Sequence, residues 1–145
     1  MRDNSAAPSV WHRTAVITSR AAGPGCIIQS TYGTPDAHGN FEVVVLEGDG
    51  EQKELVHYYR RNSPHELPWY RTDVISRQVQ GPGTLIQSSY GTPDSPGNLE
   101  VVVVEGVKGA YSLAHWYRDN SPNTSSLWQR GGNVCTFPFD SLYFG

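Results

Sequence analysis

The chain is poor in sulphur and in charge. Its 145 residues include two cysteines and one methionine, and only 17% are Asp, Glu, Lys or Arg. Two cysteines make neither a disulfide framework nor a four-ligand zinc set. A net charge of −3 argues against the basic footprint of a nucleic-acid binder or a polybasic membrane face. No apolar run nears the roughly 18 residues that a spanning helix needs. The opening MRDNSAAPSV lacks the apolar stretch of a signal peptide. None of this fixes the compartment, and the two thiols suit a reduced interior. No window carries a helical period with caps.

What the chain has instead is glycine, proline and a repeat. Fifteen Gly and ten Pro imply many turns and little helix. GPGCIIQSTYGTPDAHGNFEVVVLEG, from Gly23, returns from Gly81 as GPGTLIQSSYGTPDSPGNLEVVVVEG. Laid over one another without a gap, Trp11–Pro68 and Trp69–Ser126 share 31 of 58 positions. A period of that length marks a repeat architecture. The two cysteines fit this frame: Cys26 and Cys135 stand where sister repeats have Thr84 and Ser76, so both read as small substitutes. RDNS at Arg2 matches RDNS at Arg118, and WQR at Trp128 opens a third copy. The layout is a blade tail over 1–10, repeats over 11–68 and 69–127, and a repeat head plus a divergent apolar end over 128–145.

Each repeat reads as four strands. In the first they are Thr14–Ser19, Cys26–Tyr32, Phe41–Leu46 and Leu55–Arg60, with Gly-Pro-Gly and a Pro-Asp…Gly-Asn cluster as punctuation. The Gly-Asn pair is expected to supply positive φ at its turn. The run Phe41–Leu46 is apolar apart from Glu42, as a strand covered on both faces requires. Val44 and its mate Val102 should therefore be buried in central strands. Four antiparallel strands per unit predict an all-β chain of β-propeller blades, two complete and two partial. A trefoil would need three such units, and a two-sheet sandwich is the other option. So few blades close no ring, so either the chain is a piece of a longer one or several copies complete the ring; a homo-oligomer, such as a trimer, is the expectation.

The same side chains recur in each unit. Trp11, Trp69 and Trp128 open the repeats, with Arg13, Arg71 and Arg130 two residues later. Tyr59–Arg60 and Tyr117–Arg118 close them, following His57 and His115. Aromatic faces stack on the C–H face of a sugar, and planar donors and acceptors pair with vicinal hydroxyls. Trp-x-Arg, Gly-Asn before the core strand and the terminal His-x-Tyr-Arg, over Trp11–Arg130, resemble the β-propeller lectins of bacteria and fungi, the tectonin-like and fucose-binding groups among them. That resemblance implies a multivalent, non-catalytic module for glycans, fucosylated ones included, with the Trp, Arg and Tyr residues just named lining crevices between blades. The alternative for the same residues is packing, and for the chain a protein-interaction scaffold. Asp36, Asn40 and Glu42, with Asp94, Asn98 and Glu100, also carry the hard oxygens that calcium takes. Near-identical repeats multiply a binding site rather than build one asymmetric catalytic centre, so neither enzyme nor cofactor is expected.

Overall fold

The computed structural model describes residues 11–33, 39–62, 68–90, 96–120 and 127–138. These residues contain strands and no helix. The strands are β1 (Ala21–Gln29), β2 (Phe41–Glu47), β3 (Glu54–Arg60), β4 (Tyr70–Ser76), β5 (Thr84–Gln87), β6 (Leu99–Val107), β7 (Ala110–Arg118) and β8 (Trp128–Pro138). They form two four-stranded antiparallel sheets, β1-β2-β3-β4 and β5-β6-β7-β8, termed here sheets I and II.

The sheet boundary does not coincide with the sequence boundary. Each sheet takes three strands from one repeat and its fourth from the head of the next, so β4 begins beside Trp69 and β8 at Trp128. The sequence has three repeat heads, and the described residues form two sheets. The unplaced head is Thr14–Ser19, which is not a strand, whereas its mate lies within β4. A strand needs a neighbour to satisfy its N–H and C=O groups, and β4 finds one in β3. The Gly-Pro-Gly of the first repeat lies inside β1 at a register shift, while that of the second precedes β5.

Paired residues of an antiparallel ladder project to the same face. On sheet I, Glu42, Val44 and Leu46 share a forward face with Tyr59, His57 and Leu55. Phe41, Val43, Val45, Val56 and Tyr58 take the rear face. The forward face of sheet I packs on the rear face of sheet II. Val44, Leu46 and Leu55 meet Leu85, Leu99, Val101, Val103 and Trp128 in one buried layer, closed at one side by Ile75 and Val79. Strand β1 lies against β5 and β4 against β8, so the sheets stack in the same order. A smaller cluster of Val43, Val45, Val56 and Tyr58 on the rear of sheet I is covered by Ile17, Trp69 and Val74. Among the described residues no third sheet covers the forward face of sheet II. Val44 is buried as expected, but Val102, its repeat mate, is only half-buried on that open face.

The Gly-Asn step is explained by close approach rather than by positive φ. Gly97 does not have positive φ. A Cβ on Gly39 or Gly97 would fall on a carbonyl oxygen, of Ser30 or Ser88 respectively. Asn40 and Ser30 bond across this turn at 2.8 Å, as do Asn98 and Ser88. Positive φ is used at the other end of the core strand. Gly48 and Gly106 have φ of 119° and 114°, which open the hairpins after β2 and β6.

Candidate functional site

The most buried polar group repeats. Glu42 accepts a bond from Ser30 Oγ at 2.9 Å and lies 2.9 Å from His57 Nε2; His57 Nδ1 lies 2.7 Å from Thr72 Oγ1. In sheet II, Glu100 takes Ser88 at 2.9 Å and His115 at 2.7 Å. The residue matching Thr72 is Gly131, which gives His115 Nδ1 no hydroxyl partner and lets the imidazole sit against the backbone, where a Cβ would lie only 2.6 Å from Nδ1. Sheet II seals the first set, while water reaches His115 in the second. Both oxygens of Glu42 are taken, and they lie between sheets rather than in a loop. This removes Glu42 from the calcium reading. Asp36 and Asp94 lie outside the described residues, among which no metal-ligand cluster occurs.

The repeat-start and repeat-end residues do come together, within one sheet rather than between two. Arg60 lies over the rings of Phe41 (5.1 Å) and Trp69 (5.5 Å), and Tyr59 stacks on Tyr70 at 5.4 Å. Arg71 approaches Glu47 at 3.6 Å. In sheet II, Trp128 is buried edge-on to His57, 5.5 Å between centroids. Arg118 is paired with it across the ladder. Arg118 Nε and Trp128 Nε1 are buried without a hydrogen-bond partner among the described residues. Tyr117 donates to Gln129 at 3.2 Å and stacks on His115. Trp11 and Arg13 lie exposed on the N-terminal head. So Trp128 and Arg118 belong to the packed layer. Arg130 alone of the set reaches a crevice between the sheets, through Glu105, at 3.1 Å.

That crevice forms because the link from β4 to β5 is clamped by both sheets. Val79 N–H donates to Lys53 O at 3.2 Å, Gln80 N–H to Val104 O at 2.9 Å, and Gly106 N–H to Gln78 O at 2.9 Å. Two hollows of about 310 and 250 Å³ adjoin there, sharing Gln78 and Gly106. Lys53, Gln80, Lys108 and Tyr111 line the larger, Arg77, Glu105 and Trp116 the smaller. Glu105 is held from three sides: by Ser76 Oγ at 2.6 Å, Trp116 Nε1 at 2.5 Å and Arg130 Nε at 3.1 Å. Sequence reasoning missed Glu105, Trp116, Gln78 and Gln80. The signal was the repeated Glu-Gly that ends each core strand.

A related cluster lies on the rear of sheet I, with Glu47, Tyr58 and Arg71 in the places of Glu105, Trp116 and Arg130. Burial pushes the Glu47 carboxyl up, but bonds from Tyr58 and Thr18 and the charges of Arg71 and Arg20 outweigh it, leaving the pKa below the usual carboxylate range. Burial and the bond to Glu47 raise the Tyr58 phenol. A depressed folded pKa stabilises the fold above the unfolded value, about 4.3 for Glu. That contribution is lost as pH falls through the folded value. Melting temperature should thus drop on acidification below about pH 4, and Glu47→Gln should flatten the drop. An identical acid profile for the variant would show that Glu47 carries none of it.

Comparison with protein-family models, curated proteins and solved structures finds no match to this chain. Its chemistry must be argued from the crevice itself.

Proposed function

We propose that the chain is a non-catalytic carbohydrate-binding module of β-propeller type, and that the crevice between its sheets holds the sugar. The observation that carries this reading is Glu105, a carboxylate fixed by Ser76, Trp116 and Arg130 at the rim of a hollow walled by an indole, amides and cations. Glu105 Oε2 takes one bond, from Arg130, and keeps a lone pair that accepts from a sugar hydroxyl at little ordering cost; amides bridge neighbouring hydroxyls, and the indole offers an apolar face. Hollows of this size suit a mono- or disaccharide more than a large cofactor. The propeller assignment is supported by two four-stranded meanders stacked in like order, the last strand of sheet I leading into the first of sheet II. The cluster around Glu47 repeats the same carboxylate arrangement in sheet I, the kind of duplication by which a multivalent module compensates weak single contacts.

Glycan-array binding of the intact chain, with fucosylated glycans included, tests the class. A monovalent sugar from the positive set then tests the site. Gln78 is exposed, so Gln78→Ala should keep the melting temperature and weaken binding roughly tenfold, about 1.4 kcal/mol. A uniformly negative array, or full affinity in Gln78→Ala, would reject this site.

A further inference from the structure

The contacts between sheets I and II use residues that the repeat writes twice, so each contact has a second pair of halves. Thr31 N–H donates to Gln87 Oε1 at 2.8 Å, and Gln87 Nε2 to Thr31 Oγ1 at 2.9 Å. Tyr32 Oη meets Gly97 O and Asn120. His57 packs on Trp128, and Leu85 seats against Cys26. Stepping one repeat along turns the forward members into Ser89, Tyr90, His115 and Thr84. Stepping one back turns the rear members into Gln29, Gly39, Asn62, Trp69 and Ile27.

Both sets lie on outward faces. The forward face of sheet II is an open groove of about 590 Å³, lined by Ile86, Tyr90, Glu100, Val102, His115 and Tyr117. The rear face of sheet I carries the Arg60–Trp69–Phe41 group and Ile27. Exposure shows what each face lacks. Ile27 is 57% exposed where its internal mate Leu85 is 2%, and Ile86 is 58% exposed where Ile28 packs on the core. The local geometry is already that of the internal joint. Gln29 Nε2 reaches Gly39 O at 3.3 Å as Gln87 Nε2 reaches Gly97 O at 3.4 Å, and Asn62 Nδ2 donates to Gly39 O as Asn120 Nδ2 does to Gly97 O.

We propose that these faces bind one another between copies of this chain: the groove of sheet II in one copy receives the Trp69, Arg60 and Ile27 face of sheet I in the next. The second copy is the occupant because the groove repeats, residue for residue, a surface that this chain already fills with its own rear face. The joint is head-to-tail, since the two faces differ, and such joints generate a ring where the rotation closes. In this register β8 of the copy that offers the groove reaches the strip now covered by Ile17 of its neighbour. Ile17 and Val134 hold equivalent repeat positions, so one replaces the other without changing the chemistry of the contact.

Sedimentation velocity tests this on the full chain and two variants, Ile86→Glu and Ile27→Glu. Both positions are exposed, so both variants should fold, as circular dichroism can verify. The unmodified chain should sediment as an assembly larger than a dimer. Each variant alone should be monomeric, one with a damaged groove and the other with a damaged docking face. Mixed in equal amounts, the two variants retain one good groove and one good docking face, and should form a pair that grows no further. A monomeric unmodified chain would overturn the proposal, as would a variant that still assembles alone or a mixture that stays monomeric. The joint does not depend on the sugar reading: a monomeric variant keeps Glu105, Trp116 and Gln78, and its binding of a monovalent sugar reports on that site separately.

Discussion

Val44→Asp should unfold the chain or come close, whereas Val102→Asp should leave it folded. The two valines are repeat mates in the central strands β2 and β6, and local sequence treats them alike. Val44 is 1% exposed, in the layer with Leu46, Leu55, Leu99 and Val101. A carboxylate there has neither water nor a partner and costs several kcal/mol, on the order of the whole stability of a small domain. At position 102 the side chain faces the open groove, and water can solvate the new charge. Denaturant midpoints of the two variants at low protein concentration would measure the contrast. Equal losses would mean that the forward face of sheet II is as dry as that of sheet I, and would refute the open-groove description. If copies stack through this groove, Val102→Asp should also abolish assembly.

The second large effect is expected at Glu42. Glu42→Ala removes the partner of both Ser30 and His57 in a layer that sheet II seals. His57 Nε2 would be left buried and unpaired, at about 1–3 kcal/mol, while Ser30 Oγ would keep only its longer bond to Asn40 O at 3.3 Å. Glu100→Ala breaks the matching set in sheet II, where water can reach His115 and take over its bond. Its cost should be no more than about 1 kcal/mol, the net worth of a replaceable hydrogen bond. Glu42→Gln keeps one acceptor and one shape, and should recover part of the loss. Thermal unfolding of the four proteins checks the order. A Glu100→Ala chain as unstable as Glu42→Ala would show that solvent does not substitute for the carboxylate.

Much of the fold was legible because it is local. The β-branched runs around Val43–Val45 and Val101–Val103, the Gly-Asn steps and the 58-residue offset specify strands, turns and the identity of the two sheets, and all of these are near-neighbour properties. The Arg60–Trp69 pairing was readable for the same reason: the two lie nine positions apart across one hairpin. Burial was not, because whether a face is covered depends on what stacks upon it. Tertiary structure separated Val44 from Val102, and Trp128 in the sealed layer from Trp11 in solvent, although repeat position is the same within each set. It also decided that Thr14–Ser19 stays unpaired while its sister forms β4, since a strand exists only where another offers its open edge. The crevice beside Glu105 lay beyond local reading too, for it is built by a linker held between the hairpins of two sheets, from residues more than 50 positions apart that only stacking brings together.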